Sequence, residues 1–476
     1  MSLIKKSAVG AAWTFFDVIV NKAIFFTSTL VLARILDPSD FGVLGMIMVF
    51  FAVGAALIDS GLSVSIIRTD RPTDVEYSTV FYLNLILSAL AYLVVFIAAP
   101  YIAKFYNQDL LVSLIRVYCI GFIISAFRLI PTAVLVRNMD FKKITIYNIP
   151  GNIVGFVVGV LMAQNGYKVW SIVGLFLSTQ IVSTFIYFFF GKWKPVLRFS
   201  RKYAIFHWDF GYKLMISTQI NIVFENIYNV LIGRYYGVET LGYYERAYTL
   251  CNYPMSILTI VANKISLPLF SQITDDSVKT RITFRRVLLF SFFLSTPLML
   301  GAIVVAEPLI YLVLGDKWGS AVAIFQVLCL SYVWYPIHFL NINILSVSGR
   351  SDLFLKLELL KKVLLIITVV IGISFGIKGL VWSSVAASTL SVLLNTYYSG
   401  KIFDYSGKDQ LLDLFPTLSI SVITALVLYI SKTLLIGYPP YLILILLVVE
   451  GILLFLGLSR LTKNESYYEF LKIIKL

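Results

Sequence analysis

Charged and polar side chains interrupt several long apolar stretches of the chain. In the first stretch, Asp17 and Asn21 are four residues apart and share one helical face, with Lys22 about 140° away from Asp17. A basic residue inside such a stretch is costly to insert into a membrane, so it faces protein, water or an anionic ligand. Arg128 has the same character, and its guanidinium fork suits a carboxylate or a diphosphate. Lys264 lies nearer the cytoplasmic end of its span, so snorkelling to the interface is the alternative there.

A second polar stripe lies within residues 211–235. Four side chains share a face about 80° wide: Ser217, Asn221, Glu225 and Tyr228. We expect the two stripes to line a cavity, with buried structural contacts as the alternative. The candidate substrate-binding residues are Lys22, Arg128, Lys264, Asn21, Asn221 and Tyr228. The candidate residues for coupling to a proton or a sodium ion are Asp17, Glu225 and Asp59.

The composition identifies the environment of these residues. The 476 residues are 59% hydrophobic and 13% charged, with a mean hydropathy of +0.88. Soluble proteins carry about 25% charged residues. The chain is therefore neither a soluble enzyme nor a disordered protein but an all-α polytopic membrane protein. Three cysteines and two histidines are isolated from one another, so no metal site or cofactor is predicted.

Apolar segments of spanning length predict about 14 transmembrane helices. Turn chemistry separates many of them, as at Asn165-Gly166, Tyr236-Gly237, Gly315-Asp316 and Ser348-Gly349. The predicted spans are 10–36, 41–66, 77–103, 110–136, 144–164, 169–190, 211–235, 241–270, 287–314, 321–348, 355–375, 377–400, 414–435 and 439–460.

The distribution of Lys and Arg sets the orientation. With the N-terminus in the cytoplasm, most of the 39 basic residues fall on the cytoplasmic side, and the formal net charge of +14 reflects this bias. The same count places both termini in the cytoplasm. A basic loop near the middle of the chain, residues 191–210, is predicted to be a cytoplasmic linker that can also bind anionic lipid headgroups.

The part of the chain before this linker and the part after it have similar sequences. Residues 32–42 align with residues 232–242, which pairs Arg34 with Arg234 and Gly42 with Gly242. Both copies start from the same membrane side, so the repeat is parallel. We predict two six-helix lobes and two appended helices, with boundaries at 1–190 (first lobe), 191–210 (linker), 211–403 (second lobe) and 404–476 (spans 13 and 14 and a cytoplasmic tail).

Two equivalent bundles that rock against each other form a device for alternating access. The chain has no nucleotide-binding loop of the G-x-x-x-x-G-K-[ST] type, so a gradient, the membrane potential or consumption of the substrate on the far side would drive transport.

Four segments, residues 8–13, 32–42, 59–62 and 165–170, together resemble the Wzx-type polysaccharide flippases of bacteria. These form the polysaccharide transporter branch of the multidrug/oligosaccharidyl-lipid/polysaccharide superfamily. The resemblance implies a V-shaped pair of lobes around a cationic cavity that moves undecaprenyl-diphosphate-linked oligosaccharide from the cytoplasmic to the periplasmic leaflet. Related lipid II flippases place basic residues in spans one, two and eight. Lys22 and Lys264 match this pattern, whereas span two carries Asp59.

Two other functions stay open at this point. A cation-coupled multidrug antiporter of the same superfamily would use the acidic residues, and a membrane polysaccharide polymerase or glycosyltransferase would need a large outer loop, which the predicted topology lacks. The expected location is the bacterial inner membrane. The expected partners are the lipid-linked oligosaccharide, membrane lipids and other polysaccharide-assembly proteins, without nucleic acid.

Overall fold

The computed structural model describes residues 3–59, 61–273, 277–402 and 404–474, with all side chains except those of 3–12, 59, 261–269, 271–273, 277, 351 and 473–474. Apart from a short 3-10 turn at Asp316–Trp318, every regular element in these ranges is an α-helix, which confirms the predicted class. The helices are α1 Leu3–Ile35, α2 Pro38–Asp59, α3 Leu62–Arg68, α4 Asp74–Tyr106, α5 Leu110–Tyr118, α6 Ile120–Arg137, α7 Phe141–Gln164, α8 Trp170–Phe190, α9 Arg201–Glu225, α10 Ile227–Tyr235, α11 Val238–Ile273, α12 Ser277–Val313, α13 Ala321–Tyr332, α14 Tyr335–Val347, α15 Ser351–Ile373, α16 Gly376–Gly400, α17 Gly407–Leu434, α18 Pro440–Leu461 and α19 Glu465–Ile474.

Eleven helical segments of the described chain are long and apolar enough to cross a membrane, as expected for a polytopic membrane protein. The predicted spans at 211–235, 241–270 and 355–375 are not among them, so the count of about 14 stays a prediction. The last of these corresponds to α15, where Glu358 pairs with both Lys361 and Lys362. Helices with such charges need neighbours or water to cover their polar side chains.

Short interruptions divide several predicted spans. Gly61 separates α2 from α3 and has a φ of 68°, while Cys119 separates α5 from α6. The predicted turn glycines all adopt positive φ, which confirms them as chain reversals that a residue with a Cβ rarely accommodates: Gly166, Gly237, Gly315 and Gly349.

The chain divides into two compact units, Met1–Gly242 and Tyr243–Leu476. In the first unit, α7 packs against α1 and α8, and α4 packs against α2, α5, α6 and α9. In the second unit, α12 packs against α13, α14, α17, α18 and α19, and α15 packs against α16. The lobe and linker boundaries expected from the repeat remain a prediction.

The two copies of the repeat meet inside the first unit, at the first turns of α2 and α11. A Cβ on Gly42 would overlap the carbonyl oxygen of Val238, and a Cβ on Gly242 would overlap the carbonyl oxygen of Pro38. The contact is reciprocal, because the same offset relates Pro38 to Val238 and Gly42 to Gly242. Both glycines are therefore required for close approach of the two backbones.

The predicted linker lies along the first turns of α4. The Val196 amide donates to Ser78 Oγ (2.9 Å), and the Ser200 amide donates to Thr79 Oγ1 (3.1 Å). Trp193 is buried against Phe81, with ring centroids 5.8 Å apart. The backbone of this segment is thus held by the first unit, and its basic side chains stay exposed.

His207 ties the start of α9 to α3 and α4. Its Nε2 lies 3.0 Å from Glu76 Oε1, and its Nδ1 lies 2.8 Å from Ser65 Oγ. Because an ionised carboxylate only accepts hydrogen bonds, Nε2 donates to Glu76 and Nδ1 accepts from the Ser65 hydroxyl. Burial lowers the pKa of His207 from its ordinary value, although the hydrogen bond that His207 donates to Glu76 opposes this shift.

We expect the packing of the linker against α3 and α4 to be less stable at about pH 5.5 than at about pH 7.5. The unfolded histidine, with a pKa near 6.5, binds a proton more readily than the folded one, so stability falls as the pH drops below that value. The rate of trypsin cleavage at Lys194 and Arg198 of the nanodisc-embedded protein measures this loss of stability.

The chain has two histidines, so the second one provides the control. His207→Asn should remove the pH dependence and His338→Asn should keep it. An unchanged dependence in His207→Asn would contradict the assignment.

The predicted tail forms α19, which packs back onto α12. Arg285 of α12 pairs with Asp413 of α17 (Nε–Oδ2 2.6 Å) and with Glu465 of α19 (Nη2–Oε2 2.7 Å). Phe470 packs on Phe293, with ring centroids 5.3 Å apart. The end of the described chain is therefore part of the second unit.

Candidate functional site

The polar face predicted for α1 is joined to α7 by hydrogen bonds. The side-chain amide of Asn21 donates to Asp17 (Nδ2–Oδ1 2.7 Å), as the four-residue spacing predicts. Asn152 of α7 donates in turn to Asn21 (Nδ2–Oδ1 2.5 Å). Sequence reasoning missed Asn152, although it follows Gly151 of a G-x-x-x-G-x-x-x-G pattern whose glycines pack closely on α8.

Three other candidate site residues are Lys22, Asp59 and Lys264. Lys22 follows Asn21 on α1, is half-buried, and lies on a different helical face from Asp17. The side chains of Asp59 and Lys264 lie outside the described part of the structure. The basic pair of Lys22 and Lys264 therefore stays a prediction.

Arg128 of α6 lies beside an aromatic ring of α8. Its Cζ is 5.9 Å from the centroid of Tyr187, and the guanidinium is half-buried. Among the described residues no carboxylate pairs with Arg128, and Tyr187 is the group with which it interacts electrostatically. Tyr187 also interacts electrostatically with Asp17. The first unit thus places Arg128 beside Tyr187, which sequence reasoning did not identify, and Asp17 interacts electrostatically with the same tyrosine.

A polar cavity of about 470 Å³ adjoins Tyr187. It lies between the C-terminal ends of α6 and α8 and the N-terminal end of α7, which the predicted topology places on the cytoplasmic side. Its walls include Asn138, Asp140, Lys143, Tyr147 and Lys192, and the Lys143 ammonium group pairs with Asp140. The Lys192 ammonium group, an amide and two phenols are groups that bind anions and sugar hydroxyls.

The predicted polar stripe of residues 211–235 is divided between two helices. α9 ends at Glu225 and α10 begins at Ile227; between them the backbone amide and the side-chain amide of Asn226 both donate to the Ile222 carbonyl oxygen (3.1 and 2.8 Å). Asn221 is half-buried and Glu225 is exposed on α9, whereas Tyr228 is buried on α10. The structure therefore does not place these three side chains on one uninterrupted helical face.

The second unit contains a buried polar network that the sequence did not indicate. The Asn395 amide donates to His338 Nδ1 (2.8 Å), so His338 Nε2 carries the proton and donates to Ser388 Oγ (2.9 Å). The Ser388 hydroxyl donates to the Ser331 carbonyl oxygen (2.9 Å). Ser388 and Asn395 are seven residues apart on α16, a spacing that could have indicated a shared face. The network fixes α14 against α16.

An apolar cavity of about 510 Å³ lies between α12, α17 and α18. Ser421 and Thr424 bring hydroxyls to its wall, and each donates to a carbonyl oxygen of its own helix. The aromatic and aliphatic side chains of the wall include Phe293, Leu428, Leu447, Phe455 and Phe470. Such a cavity suits a hydrocarbon chain and excludes a sugar, whose hydroxyls would lose their hydrogen bonds there.

Comparison with known proteins relates the chain to polysaccharide assembly. The family model described as "Polysaccharide biosynthesis protein" matches residues 31–323. The chain is 28% identical to the lipopolysaccharide biosynthesis protein WzxC of Escherichia coli (strain K12), over 78% of this chain and 76% of that protein. It is 25% identical to the teichuronic acid biosynthesis protein TuaB of Bacillus subtilis (strain 168), over 74% and 73% of the two chains.

Solved structures with the same fold include a flippase and a multidrug transporter. The lipid II flippase MurJ in an inward closed conformation superposes with a TM-score of 0.72 at 16% identity, over 96% of this chain and 98% of that chain. An inward-facing transporter of the multidrug resistance MATE family gives 0.63 at 14% identity, over 81% and 96%.

Proposed function

Since this chain belongs to the polysaccharide biosynthesis protein family, we propose that it is a flippase for an undecaprenyl-diphosphate-linked oligosaccharide. It carries this lipid from the cytoplasmic to the periplasmic leaflet of the bacterial inner membrane by alternating access, with both termini in the cytoplasm. The oligosaccharide then serves the synthesis of O-antigen, capsule or exopolysaccharide. The chain is a transporter in this proposal and not an enzyme.

The observation that carries the proposal is the environment of Arg128. This arginine lies in a predicted span, is half-buried, and has an aromatic ring but no carboxylate beside it in the described residues. An arginine at that depth costs about 2.5–3.5 kcal/mol on insertion scales, which an anionic ligand offsets. The guanidinium fork binds two phosphate oxygens at once, and Lys22 supplies a further positive charge.

The two cavities support the same class of substrate. The polar cavity beside Tyr187 suits sugar hydroxyls and phosphate oxygens, and the apolar cavity between α12, α17 and α18 suits a stretch of polyprenyl chain. A headgroup that prefers water and a tail that prefers hydrocarbon thus each have a matching environment.

A cation-coupled multidrug antiporter is the second candidate, and the carboxylate of Asp17, hydrogen-bonded through Asn21 to Asn152, favours it. In the flippase, the same Asp17, with Glu225 and Asp59, is proposed to exchange a proton or a sodium ion. Flipping by vesicles with and without each gradient tests this coupling. Flipping rates that are the same with and without each gradient would show that these three acidic residues do not couple transport to an ion.

Arg128→Gln should reduce flipping of a fluorescent lipid-linked oligosaccharide in proteoliposomes about tenfold to a hundredfold, and Arg128→Glu should abolish it. The reason is the loss of a charge-assisted bidentate contact with the diphosphate. Lys22→Glu should also stop export of the polysaccharide in cells.

Arg116→Gln is the matched control. Arg116 is a half-buried arginine of the same unit, with its Cζ 4.1 Å from the Phe96 ring centroid, and it has no proposed role in binding. This variant should flip the substrate at the wild-type rate. Flipping by a folded Arg128→Glu at the wild-type rate would refute the proposal.

A further inference from the structure

Glu450 lies at the middle of α18, on a face that is otherwise apolar. Three neighbours on this face have large exposed fractions: Leu446 at 42%, Val449 at 51% and Leu453 at 66%. A carboxyl group at mid-span is costly, and such residues in membrane proteins almost always face protein or water. On this face the described chain supplies neither a covering helix nor a cation.

In the described part of the chain, the contacts of the Glu450 carboxyl group include no cation. Ser431 of α17 donates to it (Oγ–Oε1 2.6 Å), which is its one hydrogen bond in the described part of the chain. The adjacent basic residue, Lys432, pairs instead with Glu307 of α12 (Nζ–Oε2 2.8 Å). The serine orients the carboxyl group without neutralising it.

Around this carboxyl group, α17 and α18 form an open groove of about 590 Å³. Its apolar walls include Leu434, Leu435, Leu446, Val449 and Leu453. A groove between two helices accepts the side-chain ridge of a third helix. The combination is an apolar groove in the membrane with one acidic group on its wall.

We propose that this groove binds a transmembrane helix of another membrane protein, which carries a basic side chain at mid-bilayer depth. The basic group pairs with Glu450, and apolar side chains of the partner cover the leucines. Interhelical polar contacts of this kind stabilise helix association within membranes. That the partner is a protein of polysaccharide assembly rests on the proposed function.

Charge complementarity favours a different protein over a second copy of this chain. Two copies in one membrane are related by an axis along the membrane normal, so an isologous contact places Glu450 opposite Glu450 at the same depth. Two carboxylates there repel each other. Acyl chains of lipids carry no group that could pair with the carboxylate.

The test uses the full-length protein in nanodiscs and two synthetic transmembrane peptides. Both peptides have a Leu/Ala host sequence with lysine flanks; one has arginine at its centre and the other has leucine. Energy transfer from a donor at an introduced cysteine, Leu461→Cys, to an acceptor on the peptide measures binding. The native cysteines are buried and leave the label specific.

We expect the arginine peptide to bind the wild-type face about threefold to tenfold more tightly than the leucine peptide. Glu450→Gln, which keeps a partner for Ser431, and Glu450→Leu should both lose this preference. Asp316→Asn, which removes an exposed carboxylate of the same unit outside the groove, should keep it.

Equal binding of the two peptides to the wild type would overturn the proposal. Energy transfer between two labelled copies of the protein that depends on Glu450 would also overturn it, in favour of self-association. Peptide binding is measured without transport, so this proposal and the proposed function can fail separately.

Discussion

Gly42→Ala is expected to lower the free energy of unfolding by about 3 kcal/mol, because the new methyl group forces two backbones apart. The Cβ would overlap the carbonyl oxygen of Val238, which belongs to a helix start and cannot rotate away as a side chain could. Gly242→Ala should have a similar effect through the Pro38 carbonyl oxygen. Unfolding of the purified protein by SDS in mixed micelles measures both.

Gly457→Ala provides the control for this prediction. Gly457 is also helical, and a Cβ there meets nothing within 4 Å, so alanine should be neutral or stabilise the helix by about 1 kcal/mol. The double variant at Gly42 and Gly242 should cost less than the sum of the single variants, because one displacement relieves both overlaps. If the losses in the free energy of unfolding were additive, the reciprocal contact would be contradicted. The same would follow if Gly42→Ala changed stability no more than Gly457→Ala does.

Arg285→Met is expected to lower the free energy of unfolding by about 2 kcal/mol and to release α19. The guanidinium bridges Asp413 and Glu465, and its removal leaves the two carboxylates without the cation that joins them. The loss is smaller than for a fully buried pair, because the Arg285 side chain is 30% exposed. SDS unfolding and the rate of proteolysis within α19 measure the two effects.

Arg286→Met is the neighbouring control. Arg286 is 59% exposed and makes a single longer contact with Glu469 (Nε–Oε2 3.8 Å), so its removal should change stability by less than about 0.5 kcal/mol. Adding Asp413→Asn and Glu465→Gln to Arg285→Met should recover part of the loss, because the unpaired charges disappear. Equal effects of Arg285→Met and Arg286→Met would show that the bridge does not hold α19.

Features with a local cause were predictable from the chain. Hydropathy indicated a polytopic helical protein, and turn glycines such as Gly166 and Gly237 marked chain reversals. The pair of Asp17 and Asn21 followed from helical spacing. The break at Asn226 was not predicted, since a single residue between two helices leaves the apolar content of the segment almost unchanged.

The sequence by itself determined that the chain is an all-helical polytopic membrane protein, because hydropathy depends on residue order alone; the two related halves stay a prediction. Only the tertiary structure decided which distant side chains meet. Examples are Arg128 with Tyr187, His207 with Glu76, and Arg285 with Glu465. Such pairs join residues up to 180 positions apart, and helix packing, which leaves no local pattern in the chain, brings them together.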